Sequence, residues 1–405
     1  MKRTRIILSF FLLSLLALAS PRATHAQAIP PVLADVRADY VFGETISFQA
    51  LIERGYPVDT IDVFFQSANG LSTVVERAEY DPDSGDFSYV HDVTRTPIKA
   101  FTTIDFWFRF TMPDGTVHTS VTYSFEYIDN RFNWQELSRD PLTVRWYEGD
   151  VAFAQNILDA AQLSIQQMQT LLPAPIPDHL DIYVYANVED YQFMQGLLGP
   201  QWAGGHADPD LGLVFVSLQP VSAPEQRVQV EREVPHEIAH IMLYQATGEG
   251  FYQLPIWLNE GIASIMELRA NPDYLFLLQD ANSENRLLPF ESLCESFPRD
   301  ASNALLSYAQ SASFVRYLRD AYGSAGIRAI VAEYANGAGC ERGTLAAPVN
   351  KALPQLERDW QLSVLNQNPV ANAVSTLGVW AFVSGFLCTG PILLVVFAWR
   401  KRGNG

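Results

Sequence analysis

Basic residues are scarce in this chain. Of 405 residues, 27 are Lys or Arg against 45 Asp or Glu, a formal charge of −18. Seven of the basic residues crowd the two ends (Lys2, Arg3, Arg5 and Arg22; Arg400, Lys401 and Arg402), where no acidic residue lies. The long middle is therefore strongly acidic. That excludes nucleic acid as a partner, which needs a basic face, and it suits solubility outside a cell. Cysteine is rarer still, at three, which excludes a disulfide-built scaffold. Cys388 falls in an apolar run, so Cys294 and Cys340 could form at most one bridge, and their spacing leaves two unpaired thiols as the alternative. Internal repeats and low-complexity tracts are absent, which sets aside repeat architectures.

Long apolar runs occur only at the ends. Residues 1–26 read as a secretory signal: Lys2, Arg3 and Arg5 precede the apolar stretch Ile6 to Ala19, and small residues offer cleavage after Ala26 or Ala28. The stretch is short for a membrane span, which needs about 20 residues. Residues 376–399, Thr376 to Trp399, carry no charge, and Arg400-Lys401-Arg402 follows at once. Trp380 and Trp399 sit where interfacial aromatics belong, and the basic cluster puts residues 400–405 in the cytoplasm. The expected topology is a cell-membrane protein with one C-terminal transmembrane helix, an extracellular part from residue 27 to about 372, and a linker over 366–375.

Residues 30–130 read as β structure. Ile46, Phe48, Ala50 and Ile52 alternate, as do Ile104, Phe106, Phe108 and Phe110, and Val121, Tyr123, Phe125 and Tyr127. A period of two marks half-buried strands. Asn69-Gly70, Asp83-Ser84-Gly85 and Pro113-Asp114-Gly115 punctuate them as turns. About seven strands without a helix predict an immunoglobulin-like β-sandwich, a fold that says nothing of function. Past Pro141 the pattern changes to a mixed α+β domain over 140–365. Strands are expected at Thr143–Tyr147, Asp181–Ala186 and Leu213–Leu218. A helix is expected from Asp150 to Leu172, where Phe153, Ile157, Leu158, Ala161, Ile165 and Met168 recur at helical spacing. Beyond Ala223 the chain reads as mostly helical.

The chemistry lies in His236-Glu237-Ile238-Ala239-His240. On a helix, positions i and i+4 share a face, so both imidazoles can hold one ion. Glu237 then lies beside the metal, where it can take a proton from water. Pro235 would start this helix at its first position, and Gly248 would stop it. A catalytic zinc takes three protein ligands and keeps one open position. Glu260 in Trp257-Leu258-Asn259-Glu260-Gly261-Ile262-Ala263 is the third candidate. It is a carboxylate among apolar neighbours, which needs a partner when buried. Gly261 and Ala263 are small enough for close helix packing.

His-Glu-x-x-His followed by Trp-Leu-x-Glu-Gly-x-Ala resembles the gluzincin zinc metallopeptidases, in particular the peptidase MA-like family of bacterial secreted or membrane proteins. The resemblance extends over roughly residues 140–362. It takes in Gly205-His206-Ala207, the run Tyr308 to Val315, Tyr322-Gly323, and Leu356 to Trp360. It implies one Zn2+ held by His236, His240 and Glu260, Glu237 as general base, and hydrolysis of a peptide or protein substrate. It further implies the strand Leu213–Leu218 as a place for an extended peptide to add. Tyr308 could be an oxyanion donor, as a tyrosine is in some gluzincins, or a packed core residue at a helix start. His206, in a Gly-rich loop, could be a substrate contact or a structural or solvated histidine. A cell-surface binding protein with an inactive peptidase-like domain is the alternative, which retention of Glu237 disfavours.

Overall fold

The computed structural model describes residues 30–53, 56–68, 70, 72–198, 205–219, 223–340 and 348–365. The expected signal peptide, linker, transmembrane helix and tail lie outside these residues. Among the described residues no helix is long and apolar enough to cross a membrane. The chain divides into two compact units, Met1–Arg131 and Phe132–Gly405.

The first unit holds strands β1 (Leu33–Val41), β2 (Thr45–Ile52), β3 (Thr60–Ser67), β4 (Val74–Arg77), β5 (Glu79–Tyr80), β6 (Asp86–Asp92), β7 (Thr102–Thr111), β8 (Val117–Thr119) and β9 (Tyr123–Tyr127). They form two sheets, β1-β2-β6-β5 and β4-β3-β7-β8, with β9 also paired to β7. The alternation seen in sequence becomes the core: Phe48, Val63, Phe65, Ile104 and Phe108 are fully buried. Gly85 and Gly115 take positive φ in two of the expected turns, a conformation open to glycine. Val121 departs from its pattern. It precedes β9, pairs with no strand among the described residues and is 69% exposed.

The second unit opens with β10 (Gln135–Arg139) and β11 (Leu142–Trp146), followed by helix α1 (Val151–Leu171) and β12 (Leu180–Tyr185). Asp150 caps α1, its carboxylate accepting the Phe153 N–H at 2.9 Å. Then come α2 (Val188–Leu198), β13 (Gly205–Asp208) and β14 (Leu213–Ser217). The sheet order is β10-β11-β12-β14-β13. Its three inner strands are parallel and its two outer strands antiparallel to their neighbours. Inner strands covered on both faces read as continuous apolar runs, which is why Leu213–Ser217 alternates poorly. The helical part comprises α3 (Ala223–Thr247), α4 (Ile256–Met266), α5 (Asp273–Ser283), α6 (Ala301–Ala335, broken at Gly323) and α7 (Leu353–Val364). Cys294 and Cys340 form a disulfide.

Two expectations are corrected. The strand Leu213–Leu218 is not free to accept a peptide, because β14 is paired on both sides; the edge strand is β13. Pro235 does not start the motif helix but lies inside α3, for a reason given below.

Close packing of α4 on α6 depends on Gly261. A Cβ there would come within 2.5 Å of Val315 Cγ2 and 2.7 Å of the Ser311 carbonyl oxygen, closer than packed atoms approach. Gly261→Ala is expected to destabilise this unit by roughly 1–3 kcal/mol, read as a lower melting temperature. Gly339→Ala, which would meet nothing within 4 Å, is the control.

Candidate metal centre

The two histidines sit one turn apart in α3, their ring centroids 5.1 Å from each other. α4 brings Glu260 to them. Its Oε2 lies 3.2 Å from His236 Nε2 and 3.8 Å from His240 Nε2. One ligand atom from each of the three residues falls within 4.8 Å of the others.

Residues that sequence reasoning missed complete this arrangement. His236 Nδ1 lies 3.2 Å from Glu267 Oε1, and His240 Nδ1 lies 2.9 Å from Asn259 Oδ1. With Asn259 Oδ1 and Glu267 as acceptors, each Nδ1 carries a hydrogen, which leaves the two Nε2 atoms facing Glu260 as the positions from which an ion would be held; without an ion His236 Nε2 carries a hydrogen as well and donates it to Glu260. Three potential ligand atoms thus converge in a site whose side chains are largely withdrawn from water. Burial alone would lower the His236 pKa, yet the hydrogen bonds to Glu260 and Glu267 hold it well above the usual imidazole value. His240 goes the other way, lowered by burial. The cluster could hold a metal ion, and its donor set of two imidazoles and one carboxylate suits zinc. Asn259 adjoins Glu260 in sequence and Glu267 follows it by seven residues, two turns along. Only the tertiary contact reveals either role.

Pro235 explains how Glu267 reaches His236. Proline lacks the N–H that would bond the carbonyl four residues back, which leaves the Glu231 carbonyl open. That oxygen instead accepts the N–H groups of Leu268, at 2.9 Å, and Arg269, at 3.3 Å. The Glu231 carboxylate reinforces the link through Arg269 at 3.0 Å and is itself held by Arg227, one turn back in α3, at 2.6 Å. The chain leaving α4 is thereby tied to α3 one turn before the motif, and Glu267 lies at that tie.

Glu237 is 3% exposed. Burial pushes its carboxyl up to about 8; His236 opposes the shift, while Glu260 and Glu233 add to it. The backbone of β13 packs against it: a Cβ on Gly205 would clash with Oε1 and lie 2.7 Å from Cγ. His206 is on this strand rather than in a loop. Its ring stacks on Phe215, the residue paired with it in β14, at 6.3 Å and 10°.

All six residues singled out in the sequence line one cleft of about 690 Å3, joined by Phe251, Ile256, Asn259 and the stretch Glu295 to Arg299. Tyr308, in the second turn of α6, lies with its ring 6.3 Å from that of His236. The charge on Glu260, with burial next, holds its phenol far above the usual tyrosine range. It therefore stays a hydrogen-bond donor at neutral pH.

Comparison with known proteins adds one family. The model of the peptidase MA superfamily matches residues 160–366. No curated protein matches the chain. Solved structures give partial likenesses. A myokine is 10% identical over 25% of this chain and 99% of its own, with a TM-score of 0.21. Catalytically inactive OgpA from Akkermansia muciniphila, in complex with an O-glycopeptide, is 16% identical over 24% and 29%, at 0.20. A polysaccharide deacetylase from Bacillus cereus is 8% identical over 52% and 78%, at 0.21. At such scores none of them carries an argument about this chain.

Removing the acceptor from either imidazole should loosen the ion. Glu267→Ala and Asn259→Ala are each expected to weaken zinc affinity about 10–100-fold, measured by competition with a chromophoric chelator. Affinity should also fall with pH. The proton on His236, held by Glu260 and Glu267, competes with the ion as pH drops through its raised pKa, by up to about tenfold per unit for one displaced proton.

Proposed function

Because the chain belongs to the peptidase MA superfamily, we propose that it is a zinc metallopeptidase of the gluzincin type, hydrolysing peptide bonds of an extracytoplasmic peptide or protein. The observation that carries this reading is the convergence of His236 Nε2, His240 Nε2 and Glu260 Oε2 in a cleft where Glu237 is the adjacent buried carboxylate.

His236, His240 and Glu260 would hold the ion. It would supply Lewis-acid chemistry, lowering the pKa of water toward 7 and polarising a carbonyl. Every other task falls to side chains and backbone of this chain. Glu237 accepts the proton of the attacking water and hands it to the departing amine; burial raises its pKa and so favours holding the proton between the two transfers, while a cation on the adjacent ligands would draw that pKa back down and leave the carboxylate free to accept. Gly205 backs the Glu237 carboxylate and leaves it little room to turn. Tyr308 donates its O–H to the oxygen on which negative charge develops. The edge strand β13, with Gly205, His206 and Ala207 along the cleft, offers main-chain groups to an extended substrate by strand addition, and His206 contacts the substrate beside it.

Anchoring rests on sequence outside the described residues. The signal-like residues 1–26 and the uncharged run 376–399 with Arg400-Lys401-Arg402 behind it would leave the cleft outside the cell and a short basic tail inside.

The test uses full-length protein in detergent, a proteome-derived peptide library and zinc analysis of the same preparation. Glu237→Gln is expected to keep one zinc per chain and lose cleavage by at least about 10²-fold. Tyr308→Phe should keep zinc and lose roughly 10²–10³-fold in kcat. Cleavage that survives in Glu237→Gln would sink the mechanism; full zinc with no cleavage by the parent protein would favour a binding role.

A further inference from the structure

The cleft is short of positive charge. Its lining includes the carboxylates Glu237, Glu260 and Glu295, and Arg299 is the one permanent cation among the described residues that line it. Arg299 has no hydrogen-bond or ion-pair partner among the described residues, and its neighbours explain why. Asp300, next in the chain, is committed to the start of α6: its carboxylate accepts the Asn303 backbone N–H at 3.0 Å and the Asn303 side-chain N–H at 3.1 Å. Glu295 stands at the far end of the same stretch, beyond Phe297, whose ring packs edge-on against Tyr308 at 5.0 Å.

The stretch is held at three points. Cys294 is bonded to Cys340, and its carbonyl accepts the Ile256 N–H at 2.9 Å, which ties it to the first residue of α4. Phe297 is pinned on Tyr308, and Asp300 is fixed by its cap. The backbone that carries Arg299 is thus set relative to both the helix that bears Glu260 and the helix that bears Tyr308. A guanidinium presents a planar fork of donors that matches a carboxylate in two parallel bonds. The chain as a whole, at −18, repels anions, and salt screens that repulsion beyond about 8 Å. A carboxylate is then favoured only where a cation meets it at contact distance.

We infer that Arg299 forms a carboxylate-binding subsite of this cleft, so that the peptides it processes carry a carboxylate close to the scissile bond, from an acidic side chain or a free C-terminus. The inference rests on the peptidase reading above.

The experiment uses zinc-loaded full-length protein and fluorescent alanine-rich peptides. One is neutral and amidated, one series is amidated with a single Asp at each position in turn, and one is neutral with a free C-terminus. Dissociation constants are read by anisotropy in the Glu237→Gln background, without turnover, and kcat/KM is read on the parent enzyme. At least one carboxylate-bearing peptide should bind about tenfold tighter than the neutral amide, the range of a charge-assisted hydrogen bond. Arg299→Gln should abolish that advantage, Arg299→Lys should keep part of it, and Arg299→Glu should turn it toward a Lys-substituted peptide. Arg299 is exposed, so these variants should melt as the parent does and bind zinc equally. A response confined to the Asp series assigns the subsite to side chains, and one confined to the free terminus assigns it to C-terminal carboxylates. An advantage that persists in Arg299→Gln, or binding and cleavage indifferent to charge, overturns the subsite and leaves the peptidase reading standing. Failure to bind any peptide removes both.

Discussion

The larger unit is organised around the cost of holding carboxylates away from water. Glu237, Glu260 and Glu267 meet two imidazoles where α3 and α4 pack, amid Ile238, Ala239, Trp257, Leu258 and Ile262, all fully buried. An unpaired charge in such surroundings costs several kcal/mol, so each must be answered locally. Glu267 is answered by the Nδ1–H of His236, and the imidazole of His240 is oriented by Asn259. What is left over is a shared demand for positive charge between the two Nε2 atoms and Glu260 Oε2. The remaining carboxylate, Glu237, has no such partner, and its raised pKa records that difference. The same burial thus separates three glutamates into one that orients His236, one that faces both Nε2 atoms, and one left without a partner.

Backbone irregularity makes this separation possible. A proline inside a helix ordinarily weakens it. In α3 the carbonyl it frees becomes the acceptor that stops the chain after α4 at one height, with Glu267 beside His236. Two glycines perform the complementary task by removing side chains where backbones must close in: Gly261 between α4 and α6, and Gly205 between β13 and Glu237. Local departures from ideal helix and strand chemistry cluster around the site, where positions must be fixed more tightly than packing alone would fix them.

Much of this was legible before any coordinates. The alternating strands of the first unit, Val121 apart, and the α1 stripe follow local periodicities that burial bears out, and the HExxH spacing could be read directly from the sequence. Local spacing failed where the answer lay in pairing across the chain. β13 is only four residues long and β14 is apolar from Leu213 to Val216, so neither shows the period of two that would reveal which one is the sheet edge. Pro235 reads as a helix start until Leu268 and Arg269 are found on the carbonyl it releases. Asn259 and Glu267 carry no motif of their own. They matter because α4 is held against α3, which no window of neighbouring residues can express. The disulfide was open for the same reason, since Cys294 and Cys340 are 46 residues apart.

On the proposed peptidase reading, the stretch from Cys294 to Tyr308 would join recognition to chemistry. One end is fixed by the disulfide and by the first residue of α4, the other by the Asp300 cap, and Phe297 links its middle to Tyr308. A rearrangement that moved Arg299 would pull on Phe297, and through it on the phenol that faces the metal-binding residues. If Arg299 selects substrate and Tyr308 answers developing charge, the two, carried on one braced segment, would not adjust independently. Binding energy gained by a well-fitting peptide at the rim is then available to hold Tyr308 in place. A peptide that fitted poorly at Arg299 would then lose in the transition state as well as in the ground state, which is the condition for discrimination in kcat/KM rather than in affinity alone.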